Sequence, residues 1–361
     1  MKRVLCILLV VCLLFSLTAC GKKGGLLDKL TKPFTSASME KFSAYSFDYF
    51  DTQTIITGYA ESKEAFDAVA NEALKQLGEY HRLYDIYGRY DGMENLCTIN
   101  DLKDGAHRTV TVDQRIIDML LYAREMYDKT DGMVNVAMGS VLKLWHDHRT
   151  VGMSDPAEAS LPPMDKLKEA AQHTDITKMV IDDEANTVTL TDPAMRLDVG
   201  AIAKGYATER VAKWLESYGV SGWLLNVGGN VRAVGKKPDG TTWTAGLENP
   251  EDTSAEYLAY LSLSKEALVT SGSYQRYYIV DGKSYHHIIH PGTLMPAEGY
   301  LAVSIICPDS GMGDALSTAL FCMSVAEGKA LIDSMEHVEA SWVTADGVHT
   351  VSDGWNKYVK D

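Results

Sequence analysis

The run Arg196-Leu197-Asp198-Val199-Gly200-Ala201-Ile202-Ala203-Lys204-Gly205-Tyr206-Ala207 holds the residues best suited to chemistry. It reads as a short apolar strand ending in an acid, a turn of small residues, and a helix. A helix start leaves backbone N–H groups unpaired and carries partial positive charge, so it attracts phosphate. Asp198 can accept from a sugar or ring N–H, and Lys204 follows inside the helix as a counter-charge. The same pattern also occurs as plain packing in α/β units.

A second candidate is Gly313-Asp314-Ala315-Leu316-Ser317-Thr318-Ala319. Asp314 and Thr318 are spaced to share a helix face. A carboxylate with a hydroxyl is hard oxygen ligation suited to Mg²⁺, which keeps waters and takes its other oxygens from substrate phosphate. The alternative is an N-cap aspartate with a buried threonine. In Asn226-Val227-Gly228-Gly229-Asn230 the glycine pair permits close approach of a ligand or backbone, or simply a tight hairpin. His286-His287-Ile288-Ile289-His290-Pro291 suggests zinc, but in a strand His286 and His287 face opposite ways, and no acid or cysteine stands at ligand spacing. His146-Asp147-His148 reads as a solvated helix end.

Positioning these groups requires both helices and strands. Phe47 to Thr57 alternates as a strand. Ser62 caps a helix to Tyr84, with Phe66, Val69, Ala73, Leu77, Tyr80 and Tyr84 at helical spacing. Tyr87 to Asp104 reads as a polar loop, and Asp113 caps a second helix that Thr130-Asp131-Gly132 ends. Val136 to Trp145 and Met164 to Gln172 read as further helices, and Met179 to Leu190 as a hairpin. The Lys204 helix runs to Tyr218, before Gly219. Strands follow at Trp223–Val227, Val231–Val234, Trp243–Leu247, Tyr257–Leu263, Tyr274–Val280, Tyr285–Ile289 and Val303–Cys307. Helices over Gly313 to Met323 and Val325 to Ser334 precede a last hairpin turning at Asp346-Gly347. Without strict βαβ alternation the fold class is α+β, with mixed sheets and flanking helices.

The first residues carry an export signature. Lys2 and Arg3 precede an apolar run from Val4 to Leu17, too short to span a bilayer comfortably. Leu17-Thr18-Ala19-Cys20 resembles a lipobox, which makes 1–19 a signal peptide and Cys20 a lipidated first residue. Residues 20–43 read as a tether and 44–361 as the working domain. The protein is thus expected outside the cytoplasm, anchored by lipid to the cell membrane. The formal charge of −15 becomes more negative once Lys2 and Arg3 are removed, which argues against nucleic acid as a partner. Cys97, Cys307 and Cys322 form neither a disulfide framework nor a zinc ribbon.

Six segments in order make a stronger pattern than any one of them: Thr130 to Val136, Leu197 to Ala207, Asn226 to Gly235, Thr270 to Tyr278, His287 to Pro291, and Asp314 to Thr318. Together they resemble the FAD:protein FMN transferases, the ApbE-type flavin transferases. The resemblance implies an α+β flavin-transferase fold and Mg²⁺-dependent transfer of FMN from FAD to a threonine of an acceptor protein, releasing AMP. The acceptor would carry an FMN-binding domain, as a redox-complex subunit or a secreted flavoprotein. By position Asp198 and Lys204 would contact FAD. The Ala201 carbonyl, Asp314 and Thr318 would hold Mg²⁺. His287 would lie by the diphosphate, Met133, Val134 and Asn135 would line the flavin side, and Phe50 falls where an apolar residue meets the ring.

The chain departs from the family pattern in places. Asn135 stands where Asp is frequent. In the stretch usually reading His-Ile-Ile-Asp-Pro-Arg-Thr-Gly, His290 replaces the Asp and Gly292 the Arg. Ser317 replaces an acid that some members place near the metal.

His287 is the obvious general base because an unperturbed imidazole titrates near working pH. A metal-bound hydroxide or a nearby acid could serve instead. An FAD pyrophosphatase yielding FMN and AMP would use the same residues, and a non-enzymatic flavin-binding lipoprotein is a third reading. A covalent carrier should show an acceptor motif. The nearest lookalike, Asp239-Gly240-Thr241-Thr242-Trp243-Thr244-Ala245, reads as a hairpin turn.

Overall fold

The computed structural model describes residues 39–101, 108–251 and 256–360. The export signal, Cys20 and most of the tether lie outside the described residues. No helix of the described residues is long and apolar enough to cross a membrane.

The first strand, β1 (Glu40–Tyr49), begins inside the stretch read as tether, and β2 (Thr52–Ala60) pairs with it antiparallel. The alternation from Phe47 to Thr57 predicts a single strand. Instead the chain turns at Phe50 and Asp51, both left-handed with φ of 55° and 51°. A phenylalanine rarely takes that conformation. Here the Phe50 N–H donates to His81 Nδ1 at 3.2 Å, and the two rings meet edge-on at 5.5 Å.

Helix α1 (Lys63–Tyr84) is capped by Ser62, which accepts from the Ala65 N–H, and it buries the predicted stripe except Tyr80, which is half-buried. The polar loop after Tyr87 contains a short helix, α2 (Leu96–Asn100), that its composition hides. Asn95 and Thr98 make it through a reciprocal capping box. Strand β3 (Arg108–Thr111) precedes α3 (Gln114–Lys129), which Asp113 caps. Helix α4 (Gly139–Ser154) starts later and ends much later than its apolar pattern suggests, and α5 (Met164–Ala170) follows. The hairpin of β4 (Met179–Asp182) and β5 (Thr187–Leu190) adds β3 at its side.

Helix α6 (Ala203–Ser217) comes next. After it come β6 (Trp223–Val227), β7 (Asn230–Val234), β8 (Trp243–Glu248) and β9 (Tyr257–Leu263). Strand β10 (Ala267–Gly272) was hidden because its apolar run is too short before Thr270 and Ser271. Then come β11 (Tyr277–Val280), β12 (Lys283–His286), β13 (Tyr300–Cys307), α7 (Ser310–Phe321), α8 (Val325–Asp333), β14 (Glu339–Thr344) and β15 (His349–Val351). The turn at Asp239 connects β7 to β8, which pair with β10 and β9 and not with each other.

The main sheet has eight strands in the order β1-β2-β6-β7-β10-β13-β14-β15, and each neighbouring pair is antiparallel. Alternate residues of its strands serve two cores. Val234, Val269 and Ile305 face the main core with α1, α6 and α7. Ala233, Leu268 and Ile306 face a smaller core capped by the β8–β9 hairpin. A third core, built from Met138, Val141, Trp145, Leu167, Tyr278, Ile289 and Leu294, joins α4 and α5 to the β11–β12 hairpin.

Candidate active site

The residues from Arg196 to Val199 are extended as expected but enter no sheet, meeting only Met138 in a single parallel bridge. Side-chain and backbone bonds replace the ladder. The buried Asn100 amide donates to Leu197 O at 2.7 Å and accepts from Leu197 N at 2.6 Å. The Asp198 N–H donates to Val136 O at 2.8 Å. Gly139 lets the α4 start come this close, since a Cβ there would lie 2.5 Å from the Arg196 carbonyl oxygen. Asp198 is thereby fixed just before α6, and its Oδ1 accepts the Gly200 N–H at 2.9 Å. Burial raises its carboxyl pKa, and it has no ion pair among the described residues.

Helix α6 has no side-chain N-cap of its own. One is supplied from α7, where Asp314 Oδ2 accepts the Gly205 N–H at 2.7 Å. The two helices cross closely because residue 205 is glycine; a Cβ there would lie 2.2 Å from the Ser310 carbonyl oxygen. Helix α7 begins at Ser310 under its own cap, Asp309, so Asp314 is not the cap of its own helix as the alternative reading had it. Asp314 Oδ1 lies 3.4 Å from Lys204 Nζ, which also donates to Asn230 Oδ1. One turn on, the Thr318 hydroxyl makes no hydrogen bond among the described residues. Asp314, Thr318 and Ala201 thus offer hard oxygen donors on one wall, a set that fits a small divalent cation. No cluster of three His, Cys, Asp or Glu side chains suited to a metal occurs among the described residues.

These groups line a cleft of about 550 Å³ at the end of the main sheet where the β1–β2 and β6–β7 turns and the end of β10 converge. Phe50, Met133, Val134, Asn135, Asp198, Ala201, Lys204, His287, Asp314 and Thr318 all lie on its walls. The Gly228-Gly229 turn is both a tight hairpin and a close approach: a Cβ on Gly228 would lie 2.3 Å from Thr52 Oγ1.

Three of the four departures from the family pattern, at Asn135, His290 and Ser317, have local explanations. Asn135 spends its amide on the fold, donating to Thr174 O at 2.9 Å and accepting from Ala137 N at 2.9 Å. His290 does the work of an aspartate in a turn, since its Nδ1 accepts from the N–H groups of Gly292 at 2.9 Å and Thr293 at 3.3 Å. Ser317 is fully buried beneath the cleft wall, bonding the Ser271 hydroxyl and the Asp314 carbonyl.

Sequence reasoning missed the opposite wall. Helix α4 continues past Trp145, so His146 is no solvated terminus. Met138, Leu142, Trp145, His146 and Arg149 form a stripe at helical spacing along the cleft. The Tyr87 ring lies 4.8 Å from the His146 ring, and Arg149 donates to His146 Nδ1 at 3.2 Å. Arg276, just before β11, adds a second guanidinium. Neither arginine has a carboxylate partner within ion-pair distance among the described residues. Burial lowers the Arg149 pKa, and the positive charge of Arg276 lowers it further. Extending the 142-145-149 spacing beyond Trp145 would have revealed this wall.

His286 and His287 do face opposite ways. His286 Nε2 bonds Ala297 O at 2.7 Å, with its ring against Phe321. His287 faces the cleft. Burial, with Arg276 and Arg149 nearby, lowers its pKa to about 3, so the expectation of an imidazole titrating near working pH fails. Its Nδ1 lies 3.3 Å from the Arg276 carbonyl oxygen. A carbonyl only accepts, so Nδ1 carries the hydrogen and Nε2 keeps the lone pair.

A model of the ApbE family matches residues 50–342. The FAD:protein FMN transferase of Klebsiella pneumoniae is 32% identical over 276 residues, which is 73% of this chain and 81% of that protein. That of Treponema pallidum is 32% identical over 66% of this chain and 67% of its own. Among solved structures, the ApbE protein of Thermotoga maritima gives a TM-score of 0.77 at 26% identity, covering 89% of this chain and 100% of its own. The flavin transferase ApbE of Vibrio cholerae, 20% identical with a TM-score of 0.72 over 89% of this chain and 99% of its own, shares the fold.

Proposed function

The chain belongs to the ApbE family, and from that membership we propose how its cleft moves FMN from FAD to an acceptor protein. It is a transferase. The acceptor group is a threonine hydroxyl. Its oxygen attacks the phosphorus on the FMN side of the diphosphate, the bond to the bridging oxygen breaks, and AMP leaves with that oxygen. FMN remains joined to the acceptor through a phosphoester.

The observation that carries this reading is a pair of arginines, with no carboxylate within ion-pair distance among the described residues, that line the same cleft as Asp198, Lys204 and Asp314. Arg149 and Arg276 neutralise the diphosphate and hold it in place. Lys204 meets it from the α6 side. Asp198, largely desolvated, pairs with a ring or sugar donor of the flavin nucleotide. Phe50, Met133, Val134 and Asn135 form the flavin side of the cleft. His287, kept neutral by its surroundings, takes the acceptor hydroxyl proton on Nε2. The incoming diphosphate offsets the charge of the arginines and makes that nitrogen more basic when it is needed. Mg²⁺ on Asp314, Thr318 and the Ala201 carbonyl would withdraw charge from the phosphoryl oxygens.

The charged start, apolar run and lipobox-like Cys20 support an enzyme held by lipid outside the cytoplasm, where its acceptors would be secreted flavoproteins or redox-complex subunits with FMN-binding domains. The test is intact-mass analysis of such an FMN-binding domain after incubation with the full chain, FAD and Mg²⁺. The expected product gains the mass of FMN less water, with AMP released in equal amount. AMP and free FMN without the adduct would instead identify a pyrophosphatase. In Arg149→Ala/Arg276→Ala, FAD affinity should fall by tenfold or more, about 1.4 kcal/mol per factor of ten.

A further inference from the structure

Strand β1 forms one edge of the eight-stranded sheet, and among the described residues nothing pairs with its outer side. It is a ten-residue edge without proline, carrying charge only at Glu40, Lys41 and Asp48. Such long, weakly charged edges are templates for pairing, and proteins normally blunt or cover them. Two of the chain's most exposed aromatic side chains stand on it: Tyr45 is 61% exposed and Phe47 71%. Tyr45 stands on the face opposite Phe42 and Ala44, which pack on the main core, and Phe47 lies in the irregular stretch between Ser46 and Tyr49 where the pairing with β2 shifts register. Ile55 lies opposite Tyr45 in register.

This edge leads into the active site. Strand β1 ends one residue before Phe50, and Phe50, Asp51 and Thr52 line the cleft. A strand laid along β1 therefore has its end roughly 10 Å from the cleft mouth, a matter of three residues.

We propose that β1 is the docking edge for the acceptor protein: an extended segment of the acceptor adds to the sheet there, Tyr45 and Phe47 cover its side chains, and its continuation carries the target hydroxyl past Phe50 to the diphosphate. The proposal rests on the transferase reading above, because only a protein substrate needs such a guide. Backbone pairing supplies affinity that is indifferent to most side chains, and the two aromatics supply anchors.

The test compares the full chain with its Tyr45→Lys/Phe47→Lys variant, using FAD and an isolated FMN-binding domain that the wild type flavinylates. KM for the acceptor should rise about tenfold or more, the loss expected for buried aromatic anchors. The kcat at saturating acceptor and the affinity for FAD should stay within about twofold, because neither side chain touches the cleft. In wild type, backbone amides of Glu40–Tyr49 should gain protection from hydrogen exchange when acceptor is added, a readout that does not depend on the variant folding. Unchanged KM with normal wild-type transfer, or no gain in protection, would overturn the docking proposal alone. A dimer that the variant dissolves would assign the edge to a second copy and also overturn it. Failure of the wild type to transfer FMN would sink the transferase reading and this proposal with it.

Discussion

His287 is held neutral by its neighbours, and that gives FAD binding a pH dependence. Free of ligand it titrates at about 3 because burial and two guanidinium groups disfavour its cation. A bound diphosphate brings negative charge and reverses part of that effect, so the complex holds more protons than the free protein. Affinity for FAD should therefore increase as pH falls from neutrality toward about 3, the value for His287 in the free protein. Titration calorimetry should find this slope reduced in His287→Asn, and Asp198→Asn should remove the remainder, because burial raises the Asp198 pKa and added negative charge raises it further. Without ligand the sign is opposite for stability: the unfolded chain takes up the His287 proton near 6.5 and the folded chain only near 3, so this group's contribution is lost as pH falls through that window. That His287, Asp198 and Asp314 belong together in one cleft was legible in the ordered family motifs, because motifs carry residue types. Their electrostatics were not, since the charges that set them arrive from α4 and from the start of β11. The same limit concealed the second duty of Asp314, which caps α6 from another helix.

At the scale of elements, legibility followed the strength of local signals. Side-chain caps at Ser62 and Asp113 and the strands with long apolar runs are readable. The turn at Phe50, the α4 continuation beyond Trp145 and the short-patterned β10 are decided by tertiary contacts instead. One such contact ties the wall of the cleft together. Glu209 of α6 is fully buried and pairs with Arg232 of β7 at 2.8 Å, while its Oε2 also accepts the Ser310 N–H at 2.9 Å. Removing one partner of a buried pair costs about 3–5 kcal/mol where the other charge is left alone, and Glu216, 3.2 Å from Arg232, keeps the loss toward the low end of that range. Glu209→Ala should lower the melting temperature sharply and loosen the start of α7, so Asp314 loses its fixed place. Glu209→Met/Arg232→Met should recover much of the loss in a denaturant melt. If the single variant melts within a degree or so of wild type, the Glu209 pair is not what holds α6 to α7.

At the scale of the whole molecule, the long-range pairings of the eight-stranded sheet bring segments from Phe50 to Thr318 to one end, which a linear reading can order but not assemble. The cleft they form has walls rooted in different cores. Lys204 and Asp314 stand on helices of the main core, whereas Arg149, Arg276 and His287 are carried by the third core, the small one of α4, α5 and the β11–β12 hairpin. Arg149 and Arg276 carry like charge on this wall with no carboxylate within ion-pair distance among the described residues, and Asp198 opposes Arg149 only from further off, so the ligand-free protein holds its small core against their repulsion. A dinucleotide that touches both walls becomes a staple between two cooperative units. In its absence the small core should open first, as a partial unfolding step separate from the rest. With FAD bound, hydrogen exchange across α4 and the β11–β12 hairpin should slow toward that of the main core, and the two units should melt as one. Substrate would then be a structural member of the enzyme as well as its reagent, and each transfer, by splitting the staple into FMN and AMP, would unfasten the walls and let the products go.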